Sequence, residues 1–123
     1  MSSPTPLVVI VDDDDDLREN FIDILKSRGY LCHGFGNAES AIAALSEGTC
    51  SPEIVVMDGD LPGMPGRDAI AEIIRTHPDL SILAISGEAH RSEGMLGSGA
   101  KVFLKKPIEV STFLETIAQL VTR

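Results

Sequence analysis

The sequence LVVIVDDDDD, residues 7–16, joins an unbroken aliphatic run to five consecutive aspartates. An apolar run without alternation is typical of a strand that is buried on both faces of a parallel sheet. Because the run stops at the first aspartate, we expect Asp12 and Asp13 at the carboxyl end of a buried strand. Asp14 to Asp16 suit the start of a helix, where carboxylates cap free N–H groups and interact favourably with the helix dipole.

Downstream of this stretch, strand-like apolar runs alternate with amphipathic segments whose apolar residues recur at helical spacing. The predicted strands cover residues 7–11, 30–35, 54–57, 81–85 and 101–104. The alternation predicts an α/β fold, a (βα)5 doubly wound five-stranded parallel sheet with helices on both faces. We expect one domain over residues 7–123, preceded by a loose leader over residues 1–6.

The segment between the fourth and fifth predicted strands departs from this pattern. Residues 87–99 hold four glycines and only two large apolar residues, Met95 and Leu96. Each glycine weakens a helix by about 1 kcal/mol relative to alanine. We therefore expect the fourth helix to be short, frayed or mobile.

Composition excludes several classes of function. The 123 residues carry 19 acidic and 10 basic side chains, a formal net charge of −9. An acidic chain without a basic cluster is a poor partner for nucleic acids and for anionic membranes. No apolar stretch approaches the roughly 20 residues that span a bilayer, and the first residues lack the regions of a signal peptide. Cys32 and Cys50 have no metal-type spacing, so we expect reduced thiols in a cytoplasmic protein.

Polar or charged side chains follow four of the five predicted strands. They are Asp12 and Asp13 after the first strand, Asp58 after the third, Ser86 after the fourth and Lys106 after the fifth. Ligands of open parallel sheets bind at the carboxyl ends of the strands, so these side chains are expected to converge. Three carboxylates suit Mg²⁺, a hard cation that prefers oxygen ligands. A carboxylate can also attack phosphorus, while a metal and a lysine balance the charge on the phosphoryl oxygens.

Four groups of residues, in this order, resemble the receiver domain of two-component response regulators (the CheY-like family). They are VIVDDD at 9–14 with Leu17 and Arg18, IVVMD at 54–58 with LPGM at 61–64 and Gly66, AISG at 84–87, and Gly99-Ala100 with FL at 103–104 and KP at 106–107. The resemblance covers nearly the whole chain, from Leu7 to about Val121. It implies a flavodoxin-like, CheY-like sheet with the strand order 2-1-3-4-5.

The resemblance also implies how the acidic residues act. Asp58 would accept a phosphoryl group from a sensor histidine kinase or a histidine phosphotransfer protein. Mg²⁺, or Mn²⁺ in its place, would be held by Asp12, Asp13 and Asp58, together with the backbone carbonyl of Asp60. The reaction at Asp58 would therefore depend on a divalent cation.

Further residues are implied to contact the phosphoryl group or to respond to it. Ser86 and Lys106 would contact it directly, and Phe103 would move inward as Ser86 shifts. Phe103 has no hydroxyl group, so it would switch by packing alone. Pro107 matches a proline that commonly follows a cis peptide bond in the family, which would aim Lys106 into the site.

Two acidic residues at the rim leave other interpretations open. Asp60 lies two residues after Asp58, and Glu88 lies two residues after Ser86. In the family such rim positions tune the lifetime of the phosphorylated state. The Asp-x-Asp spacing is also the first motif of haloacid dehalogenase-type phosphohydrolases, although their remaining acids follow the lysine, whereas Asp12 precedes it. A scaffold that only makes protein contacts is a further alternative.

We interpret the chain as a phosphoacceptor switch of a two-component system or phosphorelay rather than a turnover enzyme. Phosphorylation of Asp58 would change a surface that contacts an unidentified downstream protein. We expect no direct binding to nucleic acid or membrane. The sequence leaves open whether the domain stands alone or belongs to a longer regulator or hybrid kinase.

Overall fold

A computed structural model describes residues 5–121. Within them the strands are β1 (Leu7–Val11), β2 (Leu31–Phe35), β3 (Ile54–Asp58), β4 (Ser81–Ser86) and β5 (Val102–Lys105). The helices are α1 (Asp15–Ser27), α2 (Ala38–Glu47), α3 (Gly66–Thr76), α4 (Ser92–Gly97) and α5 (Val110–Val121), and a 3₁₀ turn (Ala89–Arg91) precedes α4. The predicted alternation of strands and helices is confirmed.

All neighbouring strands pair in parallel, in the order β2-β1-β3-β4-β5. The predicted fold class and strand order are therefore confirmed. All residues of β3 and β4 are buried, and so is β1 except for its first residue. These are the strands with unbroken aliphatic runs, whereas the edge strands β2 and β5 are partly exposed.

The core has two parts, one on each face of the sheet. Successive strand residues point to opposite faces, so Val9 and Val11 pack against α2, α3 and α4, while Val8 and Ile10 pack against α1 and α5. A double-sided core of this kind covers both faces of a parallel sheet, as the continuous apolar runs predicted.

The aspartate run divides as expected between the strand end and the helix. Asp12 and Asp13 follow β1, and Asp14 is the N-cap of α1, where its carboxylate accepts a hydrogen bond of 3.1 Å from Leu17 N–H. Asp15 and Asp16 form the first turn of the helix. Carboxylates in these places satisfy free N–H groups and interact favourably with the helix dipole.

The fourth helix is short, as predicted, with only six residues. Its one buried residue is Met95, while Leu96 is exposed. The predicted mobility of this segment stays a prediction. No helix between residues 5 and 121 has the length and apolar character to cross a membrane.

The ends of the predicted domain lie partly outside the described residues, which exclude 1–4 and 122–123. Of the predicted leader, Thr5 and Pro6 are described, and the carbonyl of Pro6 accepts a hydrogen bond of 3.0 Å from Leu31 N–H. That bond extends the pairing of β1 with β2 by one residue.

Candidate functional site

Three carboxylates meet at the carboxyl end of the sheet. Asp12 and Asp13 follow β1, and Asp58 is the last residue of β3, which pairs with β1 in parallel. One oxygen from each carboxylate lies within 4.8 Å of the others. Asp12 and Asp58 are buried, whereas Asp13 is exposed. The structure thus brings together the three acids that the sequence predicted to be neighbours.

Lys106 is the basic residue of this cluster. Its Nζ lies 3.2 Å from Asp12 Oδ2 and 3.2 Å from Asp58 Oδ1. Its backbone N–H donates to the carbonyl of Ser86 (2.8 Å), and the following peptide bond to Pro107 is cis, as the resemblance implied. Burial lowers the pKa of Lys106, but the charges of Asp58 and Asp12 outweigh it and hold that pKa above its usual value. The ammonium group therefore stays charged.

The environment of Asp58 makes its carboxyl group a weaker acid than usual. Burial raises its pKa most, the Asp60 N–H that donates to it lowers it, the charge of Asp12 raises it, and Lys106 lowers it, with a net pKa of about 6. Near pH 7 the carboxylate is ionised but poorly solvated, which is the state that a nucleophile needs.

The donor set fits a divalent cation. Asp12 Oδ1 accepts a hydrogen bond from Asp14 N–H (2.9 Å), but the buried Oδ2 has only the ion-pair contact with Lys106 Nζ at 3.2 Å and no hydrogen bond of good geometry among residues 5–121. Buried oxygens without hydrogen bonds are uncommon in proteins. A hard cation between the carboxylates of Asp12, Asp13 and Asp58 would coordinate this oxygen and relieve the repulsion among the three charges.

Ser86 contacts a group that the sequence did not assign to it. Its Oγ donates a hydrogen bond of 2.6 Å to Asp60 Oδ1, while Gly87 N–H donates one of 2.7 Å to Asp60 Oδ2. Arg91 Nε forms an ion pair of 3.1 Å with Asp60 Oδ1. Ser86 Oγ also accepts a hydrogen bond from Glu88 N–H (2.9 Å). Sequence reasoning placed Asp60 at the rim but missed its contacts with Gly87 and Arg91.

These contacts affect the acidity of Asp60. Its partial burial raises the pKa, but the hydrogen bonds from Gly87 and Ser86 and the charges of Lys106 and Arg91 outweigh that effect. The pKa of Asp60 is therefore below its usual value, and the carboxylate is ionised at neutral pH.

Phe103 and Glu88 are the two remaining predicted side chains. Phe103 is in β5, half-buried against the core cluster that α2, α3 and α4 cover. The Glu88 carboxylate is exposed, and its Oε2 lies 3.8 Å from His90 Nδ1. The structure therefore connects Glu88 to the site through its backbone N–H and not through an ion pair with Asp60.

Arg18 is a further residue next to the site, for which the sequence suggested no role. Its guanidinium donates 2.6 Å hydrogen bonds to the carbonyl of Asp12 and to the carboxylate of Asp15. A Cβ built on Gly34 would lie 2.9 Å from Arg18 Cδ, so the glycine leaves room for this side chain. Arg18 thereby fixes the loop that carries the first two acids.

Helix α4 packs directly against the residue that follows Asp58. Cβ atoms built on Gly59 and Gly66 would lie 2.7 Å from Met95 Sδ and 2.8 Å from Gly59 Cα, respectively. The two glycines therefore form a notch that receives Met95 of α4. The sequence contains the three residues but no signal that they meet.

Comparisons with known proteins agree with this geometry. A family model, the response regulator receiver domain, matches residues 8–118. The chemotaxis protein CheY of Thermotoga maritima is 34% identical over 113 residues, which cover 89% of this chain and 92% of that protein. The sensor kinase CckA of Brucella abortus is 30% identical over 123 residues, which cover 98% of this chain but only 13% of the kinase. The chain thus spans nearly the whole of one relative and a small part of the other.

A solved structure gives the same result for the fold. A CheY-like response regulator receiver domain protein from Methanospirillum hungatei superposes with a TM-score of 0.88 and 23% sequence identity. The match covers 94% of this chain and 93% of the solved one.

Proposed function

Because this chain belongs to the response regulator receiver domain family, we propose that it acts as a switch whose phosphoacceptor is Asp58. The observation that carries the assignment is the position of Asp58, buried at the end of β3 beside Asp12 and 3.2 Å from the ammonium group of Lys106. A buried, ionised carboxylate next to a fixed cation is suited to nucleophilic attack on phosphorus.

In the proposed reaction, a carboxylate oxygen of Asp58 forms a bond to phosphorus while the bond between phosphorus and the leaving group breaks. The Lys106 ammonium balances the negative charge on the phosphoryl oxygens. Asp12 remains next to Lys106 and keeps its ammonium group charged. Mg²⁺, or Mn²⁺ in its place, would be held by the carboxylates of Asp12, Asp13 and Asp58 with the carbonyl of Asp60, and it would supply the remaining positive charge. Hydrolysis of the acyl phosphate returns Asp58 to its original state.

The donor would be a phosphohistidine of a sensor kinase or of a phosphotransfer protein, because those are the phosphoryl donors of two-component systems. The output would be a changed contact with a downstream protein, with Phe103 shifting as Ser86 moves. We place this reaction in the cytoplasm and propose neither nucleic acid nor membrane as a direct partner. Relatives such as CckA suggest that the same domain also serves inside longer proteins.

The experiment is phosphorylation by acetyl phosphate with Mg²⁺, followed by intact mass measurement. Wild type is expected to gain one phosphoryl group, and Asp58→Asn to gain none. Asp79→Asn is the matched control, since Asp79 is an exposed aspartate in the loop before β4. The proposal would be refuted if wild-type protein gained no phosphoryl group in the presence of Mg²⁺, just as in the presence of EDTA.

A turnover phosphohydrolase is the alternative that the Asp-x-Asp spacing raises. There Asp60 would be the general acid and base, yet both of its carboxylate oxygens are engaged by Ser86, Gly87 and Arg91. We therefore propose that p-nitrophenyl phosphate is not turned over. Multiple turnovers that are lost in Asp60→Ala would favour the hydrolase instead.

A further inference from the structure

The Asp60 carboxylate occupies a small anion-binding site at the end of β4. Ser86 Oγ donates to one of its oxygens (2.6 Å) and Gly87 N–H to the other (2.7 Å), while Arg91 Nε lies 3.1 Å from the first. Hydrogen bonds that involve an ionised partner are about twice as strong as neutral ones. We term Asp60, Ser86, Gly87 and Arg91 the Asp60 network.

The same donors would be needed by a phosphoryl group on Asp58. Asp58 pairs with Ile85 in the sheet, so Ser86 and Gly87 are the next residues of the neighbouring strand end. The Asp60 N–H donates to Asp58 Oδ1 (2.9 Å), so the two carboxylates share one short segment. A serine hydroxyl and a backbone N–H each have a single proton to donate. Neither donor can make a full-strength hydrogen bond to Asp60 and to a phosphoryl oxygen at once.

We propose that Asp60 is an intramolecular competitor for the anion-binding groups of the acceptor site, and that Arg91 is a positioning residue that retains it there. This inference rests on the proposed function of Asp58. Phosphorylation would exchange the Asp60 carboxylate for phosphoryl oxygens at Ser86 and Gly87. No covalent bond of Asp60 changes in the exchange.

The exchange would alter how α4 is held. Arg91 is the last residue of the 3₁₀ turn and directly precedes α4, whose Met95 packs against Gly59 next to Asp58. Met95 therefore packs against Gly59, and Arg91 contacts Asp60. The contact of Arg91 is made only with the Asp60 carboxylate, which is the group that would be displaced on phosphorylation. The Asp60 network thus links the acceptor site to a six-residue helix.

The test is a titration of ¹⁵N-labelled protein with beryllofluoride in the presence of Mg²⁺, followed by NMR. If the competing carboxylate is in place about nine-tenths of the time, removing it lowers the apparent Kd about tenfold. Asp60→Ala and the near-isosteric Asp60→Asn should both show this gain. Before any ligand is added, the amide resonance of Gly87 should shift in both variants, because its hydrogen bond to a carboxylate is lost.

Arg91→Ala separates competition from simple charge effects. Loss of a positive charge by itself weakens anion binding, whereas release of Asp60 strengthens it, by about threefold under the proposal. Arg67→Ala is the matched control, because this exposed arginine is near Gly94 of α4 and has no contact with Asp60. In Asp60→Ala protein, the added Arg91→Ala change should bring no further gain, since the two residues act through one contact.

The outcomes distinguish this inference from the function on which it rests. Equal apparent Kd values in wild type, Asp60→Ala and Asp60→Asn, or weaker binding in Arg91→Ala, would overturn the competition while leaving Asp58 as the acceptor. Binding that is absent from wild type and from both Asp60 variants would overturn the proposed function itself. Binding that survives Asp58→Asn would do the same.

Discussion

Among single residues, the ionised Asp58 carboxylate lowers the free energy of unfolding, and its hydrogen-bonding and charged partners only partly offset this effect. The carboxylate is 1% exposed and lies beside Asp12, with one ammonium group shared between the two acids. Its pKa rises to about 6 because burial and the charge of Asp12 outweigh the Asp60 N–H and Lys106. A functional group that is unfavourable in the folded state is common at sites of chemistry.

Asp58→Asn is therefore expected to stabilise the metal-free protein above pH 6. Between pH 4 and pH 6 the folded state binds more protons than the unfolded state, so the free energy of unfolding of wild type falls as the pH rises. Above the folded pKa of about 6 the full penalty applies, about 2–3 kcal/mol. Urea denaturation in EDTA at pH 4–8 measures the difference.

The variant should lose its advantage below about pH 4, where the wild-type carboxyl group is protonated in both states. Asp79→Asn, at an exposed position, should show no such pH dependence. An Asp58→Asn protein that is no more stable than wild type at pH 7.5 would contradict the pKa shift.

Mg²⁺ is expected to stabilise the folded protein through Asp12 and Asp13. A cation at 100 times its Kd raises the free energy of unfolding by about 2.7 kcal/mol. Thermal unfolding with increasing MgCl₂ should show this gain in wild type and little of it in Asp12→Asn or Asp13→Asn. Asp16→Asn removes the same charge from the exposed first turn of α1 and should keep the gain. An equal loss in Asp16→Asn would point to diffuse charge attraction instead of a site.

The strand-end acids were predictable from the sequence, whereas the contacts of Asp60 were not. Asp12, Asp13 and Asp58 were predicted to meet because each follows a buried strand, and parallel strands end on one side. The contact between Asp60 and Arg91 was not predictable, since it joins the loop after β3 to the 3₁₀ turn before α4, and their spacing depends on the packing of α4. No residue pattern marks such a contact in advance.

At the scale of elements, α4 is the part of the fold that depends most on its neighbours. It has six residues, fewer than the roughly 12 that an isolated helix needs to be even marginally stable in water. The helix packs on the rest of the protein through Met95, which lies in the notch formed by Gly59 and Gly66. Packing, not helix propensity, therefore holds α4 beside Asp58.

Gly66→Ala is expected to destabilise the protein by about 1–3 kcal/mol. A Cβ there would lie 2.8 Å from Gly59 Cα and 3.2 Å from the carbonyl oxygen of Asp58, and backbone atoms move only at a cost. Gly97→Ala is the matched control at the end of α4, where a Cβ meets no atom within 4 Å. It should be neutral or stabilise by up to about 1 kcal/mol. Chemical denaturation of both variants checks the pair, and equal effects would contradict the notch.

At the scale of the whole molecule, stability is distributed unevenly across the sheet. β3 and β4 are buried at every residue and β1 at all but its first, with helices on both sides, whereas β2 and β5 form the edges. Segments with few buried contacts open with smaller free energies than the central strands. The 3₁₀ turn and α4 bury only Met95 and belong to that weaker class.

Hydrogen exchange should follow this distribution. Amides of β1, β3 and β4 are expected to exchange only by global unfolding, and those of residues 92–98 to exchange faster, through local opening. NMR-detected exchange of the unphosphorylated protein measures both groups. Protection of residues 92–98 equal to that of β4 would show that the short helix is as stable as the core.

The fold class and the set of acids at the strand ends could be predicted from the residue pattern alone. Aliphatic runs that alternate with amphipathic segments bury their apolar side chains in a parallel sheet that helices cover on both faces. Acids at the ends of the strands then converge at one edge of the sheet. Which side chains contact one another depends on tertiary packing. The position of Lys106 between Asp12 and Asp58, the Asp60 network, and Met95 in its glycine notch each join residues far apart in the chain. Such contacts depend on how helices and loops pack on the finished sheet, which local sequence patterns do not encode.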